Sequence, residues 1–426
     1  MDAAMYEACL TTLRRELVPA MGCTEPISVA YAAALAARAL GCRPQRVALR
    51  VSGNIIKNVK SVIVPNTGGL HGLEAAAAAG IVAGDADAEL LVIAQVSEAQ
   101  KQEIRAFLQQ VQITVEQAQG DCVFDITVEL GAGGHTAICR IAGGHTRVVH
   151  LACDDEILRH SEPPEPAQQA ADPGDGLTVA GIVAFADAVE LQQVAPLLQR
   201  QIDCNMAIAQ EGLNHPWGAR IGQVMLAAYG DSVANRAKAW AAAGSDARMS
   251  GCELPVVINS GSGNQGITVS VPVVVYAREL GVPQEKLYRA LVISNLVAIH
   301  VKSGIGSLSA YCGATSAGCG AGAGITYLYG GGLTEIAHTI VNALAIDSGM
   351  ICDGAKPSCA AKIVSAIEAG LLGMQMYRQG SEFYGGDGIV KKGVENTIRS
   401  VGHLARDGMR GTDAEIIRIM LGRTEC

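Results

Sequence analysis

Two cysteines, Cys352 and Cys359, stand seven positions apart in the stretch ICDGAKPSC, around Gly354 and Pro357. Residues this prone to turns keep the pair off a helical register, so both thiols can swing toward one point. Thiols so placed could form a disulfide, hold a metal, or be buried as two unrelated small apolar side chains. In a reducing compartment this spacing serves a metal or cluster more often than a disulfide. A third soft donor would decide for a metal. Cys312 and Cys319, in the uncharged stretch from Ser303 to Thr334, are the candidates.

Other residues with chemical potential lie far from this pair. Cys23, in GCTEP, precedes a predicted helix that Thr24 can cap and whose first turn suits Pro26, so its sulfur sits at the positive end of a helix dipole, where thiolates are favoured. The loop NSGSGNQG offers backbone N–H groups unobstructed by bulky side chains. With Ser260, Ser262, Asn264 and Gln265 it could cradle a carboxylate. It lacks the spacing of a Walker or Rossmann motif. Asn54, Lys57 and Asn58 in VSGNIIKN, with Asn66 and Thr67, form a second polar cluster expected at strand ends. There Lys57 either pairs with a carboxylate or stands exposed at a turn. His135 and His145 occupy equivalent points of two AGGHT repeats and have no carboxylate at ligand spacing, which makes them turn or core residues. Asp353, beside Cys352, reads either as a group tuning a bound metal or as a turn aspartate.

These groups need a scaffold, and 426 residues suffice to bury a core without disulfide staples. The thirteen cysteines are odd in number and too sparse for a disulfide framework. Met1 to Glu7 forms no apolar leader, so the expected location is the reducing cytoplasm. A net charge of -9 with scattered basic residues gives no footprint for nucleic acid. Mean hydropathy is +0.26, yet Ser303 to Thr334 holds ten glycines, so a buried helix with a close-packed loop is expected there and no membrane span.

Apolar spacing predicts helices over 7–17 and 24–40. Residues 47–69 read as two strands around a polar turn and 88–96 as a third. From Val111 to Leu151 alternating Val, Ile and Thr predict further strands, joined by the Gly-Gly turns of the AGGHT repeats. Residues 161–176, with four prolines, read as a linker or surface loop. Beyond it helices are predicted over 177–201, 204–243, 271–280, 285–301, 335–347, 360–377 and 395–407, broken by three glycine-rich loops in which function is expected. The fold class is α+β: N-terminal helices and a mixed sheet over 1–175, joined to a large, mostly helical domain over 176–426 that carries Cys312, Cys352 and Cys359.

Seven ordered motifs, GCTEP, VSGNIIKN, VPNTGG, GGHT, SDARM, NSGSGNQGI and SGMICDGA, together resemble the bacterial and archaeal L-cysteine desulfidase family, itself similar to iron–sulfur L-serine dehydratase alpha chains. The resemblance implies a [4Fe-4S] lyase that converts L-cysteine to pyruvate, ammonia and sulfide without pyridoxal phosphate. It puts the cluster ligands at Cys312, in the SxxC context of Ser309, and at Cys352 and Cys359, with Cys319 as the substitute for Cys312. Cys23 becomes the reactive cysteine that removes the Cα proton. Three thiolates leave one iron open, a soft Lewis acid suited to sulfur. The chain also ends in Cys426, which resembles the substrate in carrying a thiol and a carboxylate and is expected to reach the open iron at rest. L-serine deamination, a non-catalytic cluster or redox protein and a structural zinc site remain alternatives. The sequence allows a homodimer and does not fix the oligomeric state.

Overall fold

A computed structural model describes residues 2–120, 122–163, 176–306 and 308–422. Cys426 and most of the proline-rich segment lie outside the described residues. So does the end of the expected first domain, since 164–175 are not described.

Strands β1 (Pro19–Met21), β2 (Arg46–Val51), β3 (Ile113–Gln117), β4 (Asp125–Ala132), β5 (His135–Ala142), β6 (Val148–Cys153), β7 (Glu156–His160) and β8 (Pro255–Val257) form two sheets. The larger has the order β3-β2-β4-β5-β6-β7 and is mixed, because β2 and β3 run parallel while every other neighbour is antiparallel. Val47, Leu49 and Val51 of β2 and Ile126, Val128 and Leu130 of β4 alternate onto one buried face. The alanine-rich helix Thr24–Leu40 covers that face. As predicted, the first AGGHT repeat makes the β4–β5 hairpin: Gly133 and Gly134 take φ of 58° and 91°, the left-handed pair that a two-residue turn requires. The second repeat turns β5 into β6.

Two predicted strands are something else. Only the first part of 47–69 is a strand; after Ser52 the chain forms the helix Gly53–Val59. The segment 88–96 is a short 3-10 turn at Glu89–Leu91, although Leu90, Val92 and Ile93 are buried as a strand would bury them. The predicted helix 24–40 is found at those bounds. Later helices are cut differently, at Val179–Ala188, Ala195–Asn214, Ile221–Tyr229 and Val233–Met249, and Arg410–Met420 adds a helix that the apolar spacing did not announce.

The buried helix expected within 303–334 is Gly313–Leu328, and it takes in glycines that read as one of the interrupting loops. It packs against Gln284–Ser303, Cys359–Arg378, Gly263–Leu280 and Leu333–Ile346. Its glycines are contact points: a Cβ on Gly318 would lie 2.2 Å from the carbonyl oxygen of Ala366, and one on Gly320 2.3 Å from that of Ser294. Glycine weakens a helix by about 0.5–1 kcal/mol per residue, but here it lets backbones touch, and dense packing offsets the loss. Gly318→Val is therefore expected to destabilise the fold by about 1–3 kcal/mol or more, read as a lowered thermal midpoint. The helix Cys359–Arg378 is long and apolar enough by composition to cross a membrane, but it is half buried within the fold, packed on Gly313–Leu328 and Leu333–Ile346.

Pairing of β1 with β8, with Pro19 opposite Val257 and Met21 opposite Pro255, ties the N-terminal segment to the helical part. It brings the stretch holding Cys23 beside the loop that opens the helix Gly263–Leu280.

Candidate functional site

The cysteines that the sequence separates are joined by a single β-bridge, Tyr311 with Ile351. In it Cys312 N–H donates to Met350 O at 3.0 Å and Cys352 N–H to Ala310 O at 2.6 Å. Gly354 then turns the chain with φ of 93°, so close to the Gly53–Val59 helix that a Cβ would lie 2.4 Å from Lys57 O. This sharp turn delivers Cys359 to the start of its helix. Cys312, Cys352, Cys359 and Cys23 all line one cleft of about 120 Å³.

Four helices begin at this cleft: Cys23 and Cys312 are the residues before Thr24–Leu40 and Gly313–Leu328, Ser262 precedes Gly263–Leu280, and Cys359 opens Cys359–Arg378. Their free N–H groups and dipoles favour anions. Lys57, Arg248, Lys302 and Lys362 add positive charge, and among the described lining residues Glu25 is the lone carboxylate. The result is a buried, electropositive hollow that suits thiolates and an anionic ligand.

The thiols of Cys312 and Cys352 lie within hydrogen-bonding reach of each other. That contact, helped by Lys57 and Lys302, holds Cys352 well below its ordinary value and Cys312 above. For Cys359 burial is the larger influence and pushes the thiol up. Among the described residues no three His, Cys, Asp or Glu side chains gather closely enough for one metal ion. Three thiols on one cleft are a soft donor set of the kind that iron–sulfur clusters take, each thiolate binding its own iron.

Cys23 corrects its expectation. It occupies the cap position itself, Thr24 is the first helical residue, and the Thr24 hydroxyl donates to Gly261 O at 2.8 Å instead of capping. Burial, reinforced by Glu25, pushes the Cys23 thiol far up, and its Sγ donates to Glu25 Oε2 at 3.4 Å. The helix dipole does not outweigh burial, so the resting group is a thiol. In the protein without substrate, Cys23 is expected to alkylate with iodoacetamide more slowly at pH 8 than the exposed Cys42, as counted by mass spectrometry.

Of the expected substrate-binding residues, Lys57, Asn58, Ser262, Asn264 and Gln265 line the cleft, with Asn264 and Gln265 in the first helical turn and not on a loop. Asn54, Asn66, Thr67 and Ser260 do not. Asn66, at φ of 57°, donates to Ile93 O at 2.8 Å, and Thr67 closes its own turn by donating to Val64 O at 2.7 Å, which makes both of them structural. Ser260 donates to Asn259 Oδ1 at 2.9 Å, and Asn54 is buried on its helix. Lys57 is buried, not exposed, and is already paired with Asp413 at 2.6 Å. Cys319 is buried roughly two turns into its helix and does not line the cleft. Asp353 pairs with Lys356 and Lys362, which against burial hold its carboxyl at about 2. His135 lies at the surface beside Asp154, away from His145, whose ring packs on Gly261 and on Phe124 at 4.8 Å.

Sequence reasoning missed Glu25, Arg248, Lys302, Tyr311 and Lys362, all on the cleft wall. Glu25 and Arg248 sat inside the quoted motifs GCTEP and SDARM. A buried charge in an otherwise apolar helical stretch was the available signal.

A family profile described as the serine dehydratase alpha chain matches residues 87–418. The chain belongs to that family. The match supports a lyase-type, iron–sulfur-associated enzyme in general terms, and it spans all three cleft cysteines of the helical part. Similar proteins include a UPF0597 protein of Desulfitobacterium hafniense, 55% identical over 98% of this chain and 97% of its own length. A UPF0597 protein of Lachnoclostridium phytofermentans is 47% identical over 98% and 100%, and one of Aeromonas hydrophila 41% identical over 97% and 99%.

Proposed function

We propose that the protein is an iron–sulfur lyase that eliminates sulfide from L-cysteine, yielding pyruvate and ammonia. The observation that carries this is the meeting of Cys312, Cys352 and Cys359, from two loops about forty residues apart, with Cys23 on one electropositive cleft. Cys312, Cys352 and Cys359 would hold a [4Fe-4S] cluster, which when bound supplies an iron without a protein thiolate, a soft Lewis acid matched to substrate sulfur better than to a hydroxyl.

The chain's own residues account for the rest. The electropositive hollow draws in an amino-acid carboxylate. Cys23, once its proton has left to solvent, removes the Cα proton, and the Cα–H electron pair forms the Cα–Cβ double bond as the Cβ–S bond breaks and its electron pair leaves on hydrosulfide. Cys23 is left as the thiol it was at rest, so each turnover releases one hydrosulfide and one proton. Aminoacrylate then hydrolyses to pyruvate and ammonia in solution.

L-serine deamination is the second reading, favoured by the description of the matching family. The test is anaerobic reconstitution with iron and sulfide, followed by sulfide release from L-cysteine and pyruvate release from L-serine. A higher kcat/KM for cysteine is expected. A higher value for serine would overturn the choice of substrate, and a cluster spectrum with turnover of neither amino acid would favour a non-catalytic cluster protein.

A further inference from the structure

Arg248 is 2% exposed, lines the cleft, and its Nε is buried without a hydrogen-bond partner. The fold makes room for it at the start of the helix Gly263–Leu280, since a Cβ on Gly263 would lie 2.3 Å from that nitrogen. Leaving a guanidinium N–H buried and unsatisfied is expensive unless an anion arrives to accept from it. Lys57 cannot serve that role in its place, being held by Asp413.

Glu25 is the opposite charge on the same wall. Its Oε1 accepts from Asn58 Nδ2 at 3.2 Å and its Oε2 from Cys23 Sγ at 3.4 Å, with the Thr24 hydroxyl oxygen 3.1 Å away and its proton given to Gly261 O. Two oxygens with about four lone-pair sites leave room for a further donor. On the same cleft Asn264 Oδ1 and Gln265 Oε1 are buried and unpartnered. Among the described residues no ion pair joins Glu25 to Arg248, although both act electrostatically on Cys23 and on His145. Two buried opposite charges that line one cleft without an ion pair between them, Glu25 in contact with Cys23, suit a ligand that carries both charges.

We propose that Arg248 binds the α-carboxylate of the substrate and that Glu25, with the amide oxygens of Asn264 and Gln265, binds its α-ammonium. Resting on the lyase reading above, this assigns the polarity of the bound amino acid. In any α-amino acid both charged groups hang from Cα, so a molecule whose ammonium sits on Glu25 holds Cα within reach of Cys23, whose Sγ lies 3.4 Å from Glu25 Oε2. The side chain is then left to point along the cleft toward Cys312, Cys352 and Cys359.

Two analogues each lacking one charge separate the roles: 3-mercaptopropionate has the carboxylate and thiol but no ammonium, and cysteamine has the ammonium and thiol but no carboxylate. Binding to the reconstituted protein is measured by calorimetry for wild type, Arg248→Gln and Glu25→Gln, with thermal midpoint and cluster absorbance recorded for each. Arg248→Gln is expected to weaken 3-mercaptopropionate by roughly thirtyfold or more and leave cysteamine within about threefold, and Glu25→Gln to do the reverse. Arg248→Lys, which keeps the charge but not the fork, should recover part of the loss. Equal losses of both analogues in both variants, no loss in either, or the opposite pattern would overturn the assignment while sulfide release by wild type leaves the lyase reading standing. Wild-type protein that binds neither analogue and turns over no cysteine would remove both.

Discussion

Cys352→Ser is expected to abolish sulfide release and strip the reconstituted protein of its broad visible absorbance, with iron content falling to background. Serine keeps the shape of the side chain but not the soft thiolate that iron–sulfur clusters require. Cys352 is the thiol that the surroundings favour most as an anion, through the hydrogen bond from Cys312 and the lysines Lys57 and Lys302. Cys359→Ser and Cys312→Ser should behave alike, because all three sit on one wall. The internal control is Cys319→Ala. Its sulfur is buried away from the cleft, so the cluster spectrum should survive and only a small loss of stability should appear, about 1 kcal/mol. Loss of the cluster in Cys319→Ala with retention in Cys312→Ser would exchange the two assignments. Iron bound equally by all four variants would place the metal elsewhere.

What the sequence made legible was local. The Gly-Gly hairpin at 133–134, the alanine-rich helix behind Cys23 and the mixed α+β class all follow from spacing and turn chemistry within a few residues. The three cysteines were legible as a set only through motif resemblance, because the bridge of Tyr311 to Ile351 that joins them depends on pairing across forty residues. The extent of the helix Gly313–Leu328 was hidden for the same reason in reverse. Glycine normally marks a loop, and what overrides that tendency is contact with Ser294, Ala366 and Gly370, none of them nearby in the chain. Lys57 does reach the cleft, but its burial was not legible because its partner Asp413 lies 356 residues away. Asn66 and Thr67 have the composition of a binding site, yet their side chains are spent on the backbone of their own turn and of Ile93. Arg248 was hidden in a helix in which a charged residue looks like a solvated face, and only burial distinguishes it.

Cys23→Ala is the variant that separates chemistry from architecture. Deleting one sulfur from a residue 3% exposed leaves a small cavity beside Val62 and Met249 and removes none of Cys312, Cys352 or Cys359, so the cluster spectrum should persist. Removing a positioned base lowers the rate of proton transfer by about 10²–10⁴, and sulfide release should fall by that factor with KM nearly unchanged. A structural role for the thiol would instead lower the thermal midpoint and disturb both parameters. Cys23→Ser distinguishes further. A serine hydroxyl can still donate to Glu25 but is a far weaker acid than a thiol, so a fold-preserving cap would be rescued by it while a base would not. With Cα-deuterated cysteine, the wild-type rate need show only a modest isotope effect, whereas in Cys23→Ser proton removal becomes the slow step and the effect should grow. Wild-type turnover in Cys23→Ala, with the cluster intact, would show that another group removes the proton, and Glu25, within 3.4 Å of the vacated sulfur position, would be next in line.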